Sequence, residues 1–190
     1  MAPADLHDLD TLQRAVRRGL RPNFLFFWGH TARAGRRDVG RECFSQWYSA
    51  PFTLDGRVFP TAEHYMMFRK ATLFGDKETA AQILAAASPS AAKALGRKVQ
   101  GFVQTVWDEQ RLAIVVAGNE AKFGQAPTLR AVLLATGNKV LVEASPTDRV
   151  WGIGLAEDDP RATNPLEWRG QNLLGFALMI ARSRLLASGA

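Results

Sequence analysis

The chain has 190 residues, 47% of them hydrophobic, which suffices for one sizeable core and gives no reason to expect a second domain. Its single cysteine, Cys43, excludes an intramolecular disulfide, and its longest apolar runs, such as 112–117, are far too short to span a bilayer. The chain opens on acidic residues, not on a basic segment followed by an apolar one, so a cytoplasmic protein without membrane contact is expected. The formal charge of +6 is concentrated between Gln13 and Arg41, where Arg14, Arg17, Arg18, Arg21, Arg33, Arg36, Arg37 and Arg41 face Asp38 alone. Such density suits phosphate contact, on nucleic acid or on a small molecule, although a solvated face would have the same composition.

In chain order, Leu6, Leu9, Leu12, Val16 and Leu20 recur at helical spacing, predicting an amphipathic N-terminal helix within 1–23 that packs on a domain of 24–188. Residues 33–40 are polar and contain glycine, a candidate for a mobile loop near the site. Residues 52–59 alternate around Asp55-Gly56, which predicts a hairpin. Pro60 marks a helix start, because its fixed φ and missing N–H suit a first turn. Helices are expected over 77–87, over 91–99 after the Ser88-Pro89 cap, over 103–121 and over 128–135. Residues 140–144 read as a short buried strand and 145–148 as the loop leaving it. Residues 159–165 form a loop, and a last helix runs from about 172 to 186, with Asn172 as its expected cap. The fold class expected is mainly α, a single compact domain with a few short β-strands.

The possible chemistry narrows by elimination. With three histidines and one cysteine there is no HExxH, no CxxC and no zinc set. Gly152-Ile153-Gly154 lacks the third glycine of a dinucleotide fingerprint, and neither a phosphate-binding P-loop nor a Gly-x-Ser-x-Gly elbow occurs. No cofactor and no metal are expected. Carboxylates and tryptophans remain. Glu63 falls in the opening turn of a helix and Asp148 in a loop at a strand end. Each alone reads as structural, since the helix dipole favours the first and turn chemistry the second. Two such acids would suffice to cleave a glycosidic bond, one stabilising the sugar's oxocarbenium-like cation or activating water while another group assists departure. Lys70, two turns after Glu63 and on the same face, is placed to hold a phosphate or to lower the carboxylate's pKa.

A set of segments in fixed order makes the reading more specific. These are Phe26-Phe27-Trp28-Gly29, Phe44-Ser45-Gln46-Trp47-Tyr48, the stretch from Pro60 through Lys70, and Leu73-Phe74-Gly75-Asp76. They continue with Trp107-Asp108, Lys122-Phe123, Leu141-Val142-Glu143-Ala144-Ser145, the stretch from Asp148 to Gly154, and the stretch from Trp168 to Gly175. Together they resemble the NADAR family, also called YbiA-like proteins, over roughly 24–186. The resemblance implies an N-glycosidase that acts on phosphoribosylamino intermediates of riboflavin synthesis in some members and on ADP-ribose attached to guanine in others. It also implies that Glu63, Trp107, Asp148 and Trp151 line the active site. On this reading Glu63 positions or deprotonates water, Asp148 stabilises the ribosyl cation or orients its hydroxyls, and the two tryptophans stack on the base or wall the sugar. The two acid roles are exchangeable. Arg41, Ser45 and Arg149 are further phosphate or sugar candidates by their proximity to matching motifs, whereas Trp28, Trp47 and Trp168 are assigned to structure. Gln46-Trp47, where the family often has Asn-Phe, and Phe68-Arg69 before Lys70 leave base and phosphate preference open.

The leading expectation is removal of ADP-ribose from guanine bases in DNA, as an antidote to a DNA-modifying toxin, with hydrolysis of a phosphoribosylamino-pyrimidine as the metabolic alternative. The basic segment favours the first. Two other classes compete: a catalytically silent ADP-ribose or nucleotide-binding module, and a nucleic-acid-binding structural protein, for which no recognised fold or aromatic-basic platform is present.

Overall fold

The computed structural model describes residues 6–31 and 38–188. Within them the chain is mainly helical, with two small sheets. Most of the expected 33–40 loop, with Arg33, Arg36 and Arg37, lies outside the described residues.

Helix α1 (Leu9–Arg17) is capped by Asp8, whose side chain accepts from the Thr11 N–H. Its Leu12 and Ala15 are buried, and Gln13 donates to the carbonyl of Pro165 (2.8 Å), which fastens the helix to a 3₁₀ turn at Pro165–Glu167. Strand β1 (Phe24–Phe27) follows, an element the sequence reading did not anticipate. The expected hairpin is present as β2 (Phe52–Leu54) and β3 (Arg57–Phe59), paired antiparallel, with Asp55 and Gly56 both at positive φ as a two-residue turn of this kind requires.

Helix α2 (Ala62–Leu73) begins two residues later than Pro60 suggested. Thr61 is the cap, accepting from the His64 N–H, and Pro60 stands outside the helix. Helices α3 (Lys77–Leu84) and α4 (Pro89–Gly96) pack against α2; Ser88 caps α4 and Pro89 fills its first position. Helix α5 (Gln104–Gln125) runs one turn beyond expectation, and Pro127 then starts α6 (Pro127–Leu134).

Strand β4 (Val140–Glu143) pairs in parallel with β1, in the register Phe24 with Val140 through Phe27 with Glu143. Both strands therefore end together. Helix α7 (Leu173–Ala187) packs on β4 and on α5. Asn172 does not cap α7 with its side chain. Held in the left-handed region at φ 55°, it bridges to the sheet instead, accepting from the Glu143 N–H (2.9 Å) and donating to the Leu141 carbonyl (2.9 Å). Gly175 allows this approach, since a Cβ there would collide with the Leu141 carbonyl and the Asn172 amide.

Candidate active site

The polar centre of the molecule is a cavity of about 480 Å³ bounded by α2, α4, α5, the strand ends and the loop after β4. It lies where the carboxyl ends of the two parallel strands open, the edge at which α/β sheets commonly place ligands.

Glu63 enters from the first turn of α2. Its backbone N–H, one of the donors a helix start leaves free, is taken by the Gln46 carbonyl (3.0 Å), so the side chain is not needed to satisfy its own helix end. The residue is only 2% exposed and its Oε1 has no hydrogen-bond partner. Burial pushes its pKa up to about 7. Lys93, Trp47 and Arg97 act in the opposite direction, and the nearby Asp148 adds to the rise.

Asp148 sits in the loop after β4. Its Oδ1 accepts from the N–H groups of Val150 and Trp151 (both 2.8 Å), while its own N–H donates to Ser145 Oγ (3.2 Å). The loop is pinned to the start of α7 and the two residues before it by bonds from the N–H groups of Gln171 to Arg149, Asn172 to Gly152, Leu173 to Val150 and Leu174 to Trp151. Gly170 is required there, because a Cβ would run into the Gly152 carbonyl and the Arg149 backbone.

The structure gathers Glu63, Asp148, Trp107, Trp151, Lys70 and Ser45 around this one cavity. Lys70 Nζ donates to the Gly96 carbonyl (2.8 Å) and lies over the rings of Phe102 (4.2 Å) and Trp107 (5.7 Å). Ser45 Oγ accepts from the Trp47 N–H. Arg41 and Arg149 are not brought in. Arg41 pairs with Glu157 (2.8 Å) and with the Phe26 carbonyl, and Arg149 is exposed and does not line the cavity.

The tryptophan assignments need correction. Trp168 is structural, buried with its indole N–H on the Ala162 carbonyl. Trp47, by contrast, lines the cavity beside Glu63 and carries His30 (5.6 Å between ring centroids) and Lys93 (5.8 Å) against its ring. Trp28 is 62% exposed and is no core residue.

Other lining residues were not singled out from the sequence. Lys93 of α4, Arg97 at its C-terminal cap and Arg111 of α5 join Lys70 as the cationic part of the wall. Glu143, the last residue of β4, adds a third carboxylate. Its Oε2 is buried without a partner, and burial, reinforced by Asp148 and Glu63 against Lys93, raises its pKa to about 8. Among the described residues, the buried side-chain polar atoms lacking a partner are Glu63 Oε1, Glu143 Oε2 and Arg111 Nε, all on residues that line this cavity. Buried polar groups are paired in the great majority of cases, so such a concentration marks a place kept ready for something else. Also among the described residues, no group of His, Cys, Asp and Glu is arranged to hold a metal ion, and no helix is long and apolar enough to cross a membrane.

The family model described as the NADAR domain matches residues 26–186. The chain belongs to the NADAR family. It is 42% identical over 164 residues to N-glycosidase R617 of Acanthamoeba polyphaga mimivirus, covering 84% of this chain and 94% of that protein. It is 32% identical over 142 residues to N-glycosidase YbiA of Escherichia coli strain K12, covering 75% and 80%. The solution structure of E. coli YbiA superposes with a TM-score of 0.70 at 27% identity, covering 90% of this chain and 89% of that one. The mainly helical NADAR fold with few short strands is thus shared. A further relative, the chloroplastic riboflavin biosynthesis protein PYRR of Zea mays, is 34% identical over 138 residues, which is 69% of this chain but only 20% of that protein. The relatives named for an activity in this comparison are N-glycosidases, hydrolases of N-glycosyl bonds.

Proposed function

We propose that this NADAR chain is an N-glycosidase that hydrolyses the bond between a ribose and a base nitrogen in an ADP-ribosyl or phosphoribosyl substrate, and that its preferred substrate is ADP-ribosylated guanine in DNA. The observation that carries the reading is the mixed charge of one cavity, which the carboxylates Glu63 and Asp148 line together with the cations Lys70, Lys93, Arg97 and Arg111. A ribosyl phosphate carries the complementary pair of charges, with a sugar carbon that becomes cationic and a phosphate that is anionic throughout.

Glu63, whose pKa lies near neutrality, suits the base that takes a proton from water at C1. Asp148, fixed by two backbone N–H groups, faces the ribose as an acceptor for its hydroxyls or a counter-charge to its cation. Trp47, Trp107 and Trp151 supply flat walls for base and sugar. The arginines of the N-terminal segment, Arg14, Arg17, Arg18 and Arg21, support a DNA-borne substrate, as a basic stretch attracts a phosphate backbone. The name of the maize relative supports a second reading, in which a phosphoribosylamino-pyrimidine of riboflavin synthesis is cleaved.

The two are separated by incubating the protein with an oligonucleotide bearing ADP-ribosylated guanine and, in parallel, with the phosphoribosylamino-pyrimidine, and identifying products by mass spectrometry. Free ADP-ribose from the first supports the preferred substrate, and release of ribose phosphate from the second alone supports the metabolic one. Binding of both without turnover would replace the enzyme by a nucleotide-binding module.

A further inference from the structure

Two carboxylates account for water activation and for stabilising the sugar cation, but neither supplies a proton to the departing nitrogen. An amino nitrogen leaves poorly as an anion, so cleavage of an amine-linked glycoside calls for an acid on the base side of the bond. The carboxyl that lines the cavity and has no role in that scheme is Glu143. We propose that Glu143 is a third catalytic carboxylate, the acid that protonates the departing nitrogen while Glu63 accepts a proton from the attacking water. The assignment rests on the N-glycosidase reading above.

Four observations support it. Glu143 terminates β4 at the strand edge that opens on the cavity, and its side chain lines that cavity. Its backbone is clamped on both sides, the N–H by Asn172 Oδ1 (2.9 Å) and the carbonyl by the Ile153 N–H (3.0 Å), which fixes where the carboxyl begins. Its Oε2 is buried and has no partner within the protein, leaving it free for a substrate atom. The charged groups around it favour retention of a proton: Glu63 from α2 and Asp148 from the loop oppose its ionisation, with burial the largest effect, and Lys93 of α4 compensates only in part. Lys70, Arg97 and Arg111 line the remaining walls. No structural partner explains a carboxyl in this place.

The step balances. The water oxygen bonds to C1 as the C1–N bond breaks, its electron pair passing to nitrogen. One water proton moves to Glu63 and the Glu143 proton moves to nitrogen, giving the ribose with a free anomeric hydroxyl and the intact amino base. Exchange with solvent then removes the proton from Glu63 and restores that of Glu143.

The test compares leaving groups. Wild type and Glu143→Gln are assayed on the amine-linked substrate that the wild type hydrolyses and on the same sugar phosphate carrying 4-nitrophenolate, which departs without protonation. The variant is expected to lose about 100-fold or more on the amine-linked substrate, the usual worth of a positioned acid, and to stay within a few-fold of wild type on the nitrophenyl glycoside. Equal losses on both, or none on either, would overturn the assignment while leaving the glycosidase reading intact. The wild type provides a check that needs no variant: its activity on the amine-linked substrate should fall as pH rises past about 8, with no such limb on the nitrophenyl glycoside. The same limb on both would count against Glu143. A wild-type protein that hydrolyses no amine-linked ribosyl phosphate overturns the glycosidase reading and this assignment together.

Discussion

Two sets of buried polar groups in this protein are treated in opposite ways. In the frame behind the cavity, every long polar side chain is paired. Lys122 of α5, 1% exposed, donates to the carbonyls of Cys43 (2.6 Å) and Ser45 (2.9 Å), and Asn119 links Gln46 to the Val115 carbonyl. Arg182 of α7 holds Thr136 Oγ1 and the Lys139 carbonyl, and Asn172 ties α7 to β4. In the cavity, Glu63, Glu143 and Arg111 each leave a buried atom without a partner. A polar group buried and satisfied builds the fold, whereas one buried and unsatisfied weakens it and is retained for what it can do to a ligand. The frame holds the Ser45–Trp47 segment and the end of β4 still, so that the strained set can point inward.

Substitutions in the two sets should therefore separate activity from stability. The largest effect is expected for Glu63→Gln, which should lower kcat by roughly 10²- to 10⁴-fold, the range for a positioned acid or base, while the fold persists. Product formation checks the first and circular dichroism the second; near-normal turnover would remove Glu63 from the chemistry. Next comes Asn172→Ala, which leaves the Glu143 N–H and Leu141 carbonyl unpaired and puts alanine in a left-handed conformation. A loss of about 3 kcal/mol in urea unfolding is expected. A loss well under 1 kcal/mol would show the bridge to be dispensable. The smallest effect belongs to the cationic wall, where Arg97→Ala should raise KM by about 10-fold, close to 1.4 kcal/mol, with kcat less affected. Arg149→Ala, outside the cavity, should leave KM unchanged, and the reverse ranking would relocate the phosphate.

The sequence was legible where the signals are local. The Asp55-Gly56 turn, the Ser88-Pro89 cap, the long helices and the strand before Asp148 each carry their cause within a few residues. Glu63, Asp148, Trp107 and Trp151 came from the ordered family segments, and no periodicity singles them out. Strand β1 escaped notice because Phe24-Leu25-Phe26-Phe27 shows no alternation, and its partner β4 lies more than a hundred residues away. Glu143 was hidden for a similar reason. At the end of a buried strand it reads as the polar residue that closes a run, and only the register with β1 and the bond from Asn172 turn it into the cavity. Lys93 and Arg97 read as the wet face of a short helix until α4 is seen to pack on α2 beside the opening. Trp47 was misassigned because size alone suggests a core.

The raised pKa of Glu63 adds a pH dependence whose sign follows directly. Below about pH 4.5 the carboxyl is protonated in both folded and unfolded chains and carries no penalty. As pH rises from there to about 7, the unfolded chain ionises first while the buried group holds its proton, so this contribution to stability is lost across that window. Glutamine has no charge to bury. The most direct measurement is the unfolding free energy of wild type and Glu63→Gln at pH 8, beside their turnover. The expected result is an inactive variant more stable than wild type, by an amount on the order of 3 kcal/mol that vanishes near pH 4.5. A variant that is less stable at pH 8, or that remains active, would contradict the claim that this carboxylate is held in the cavity for chemistry at the expense of the fold.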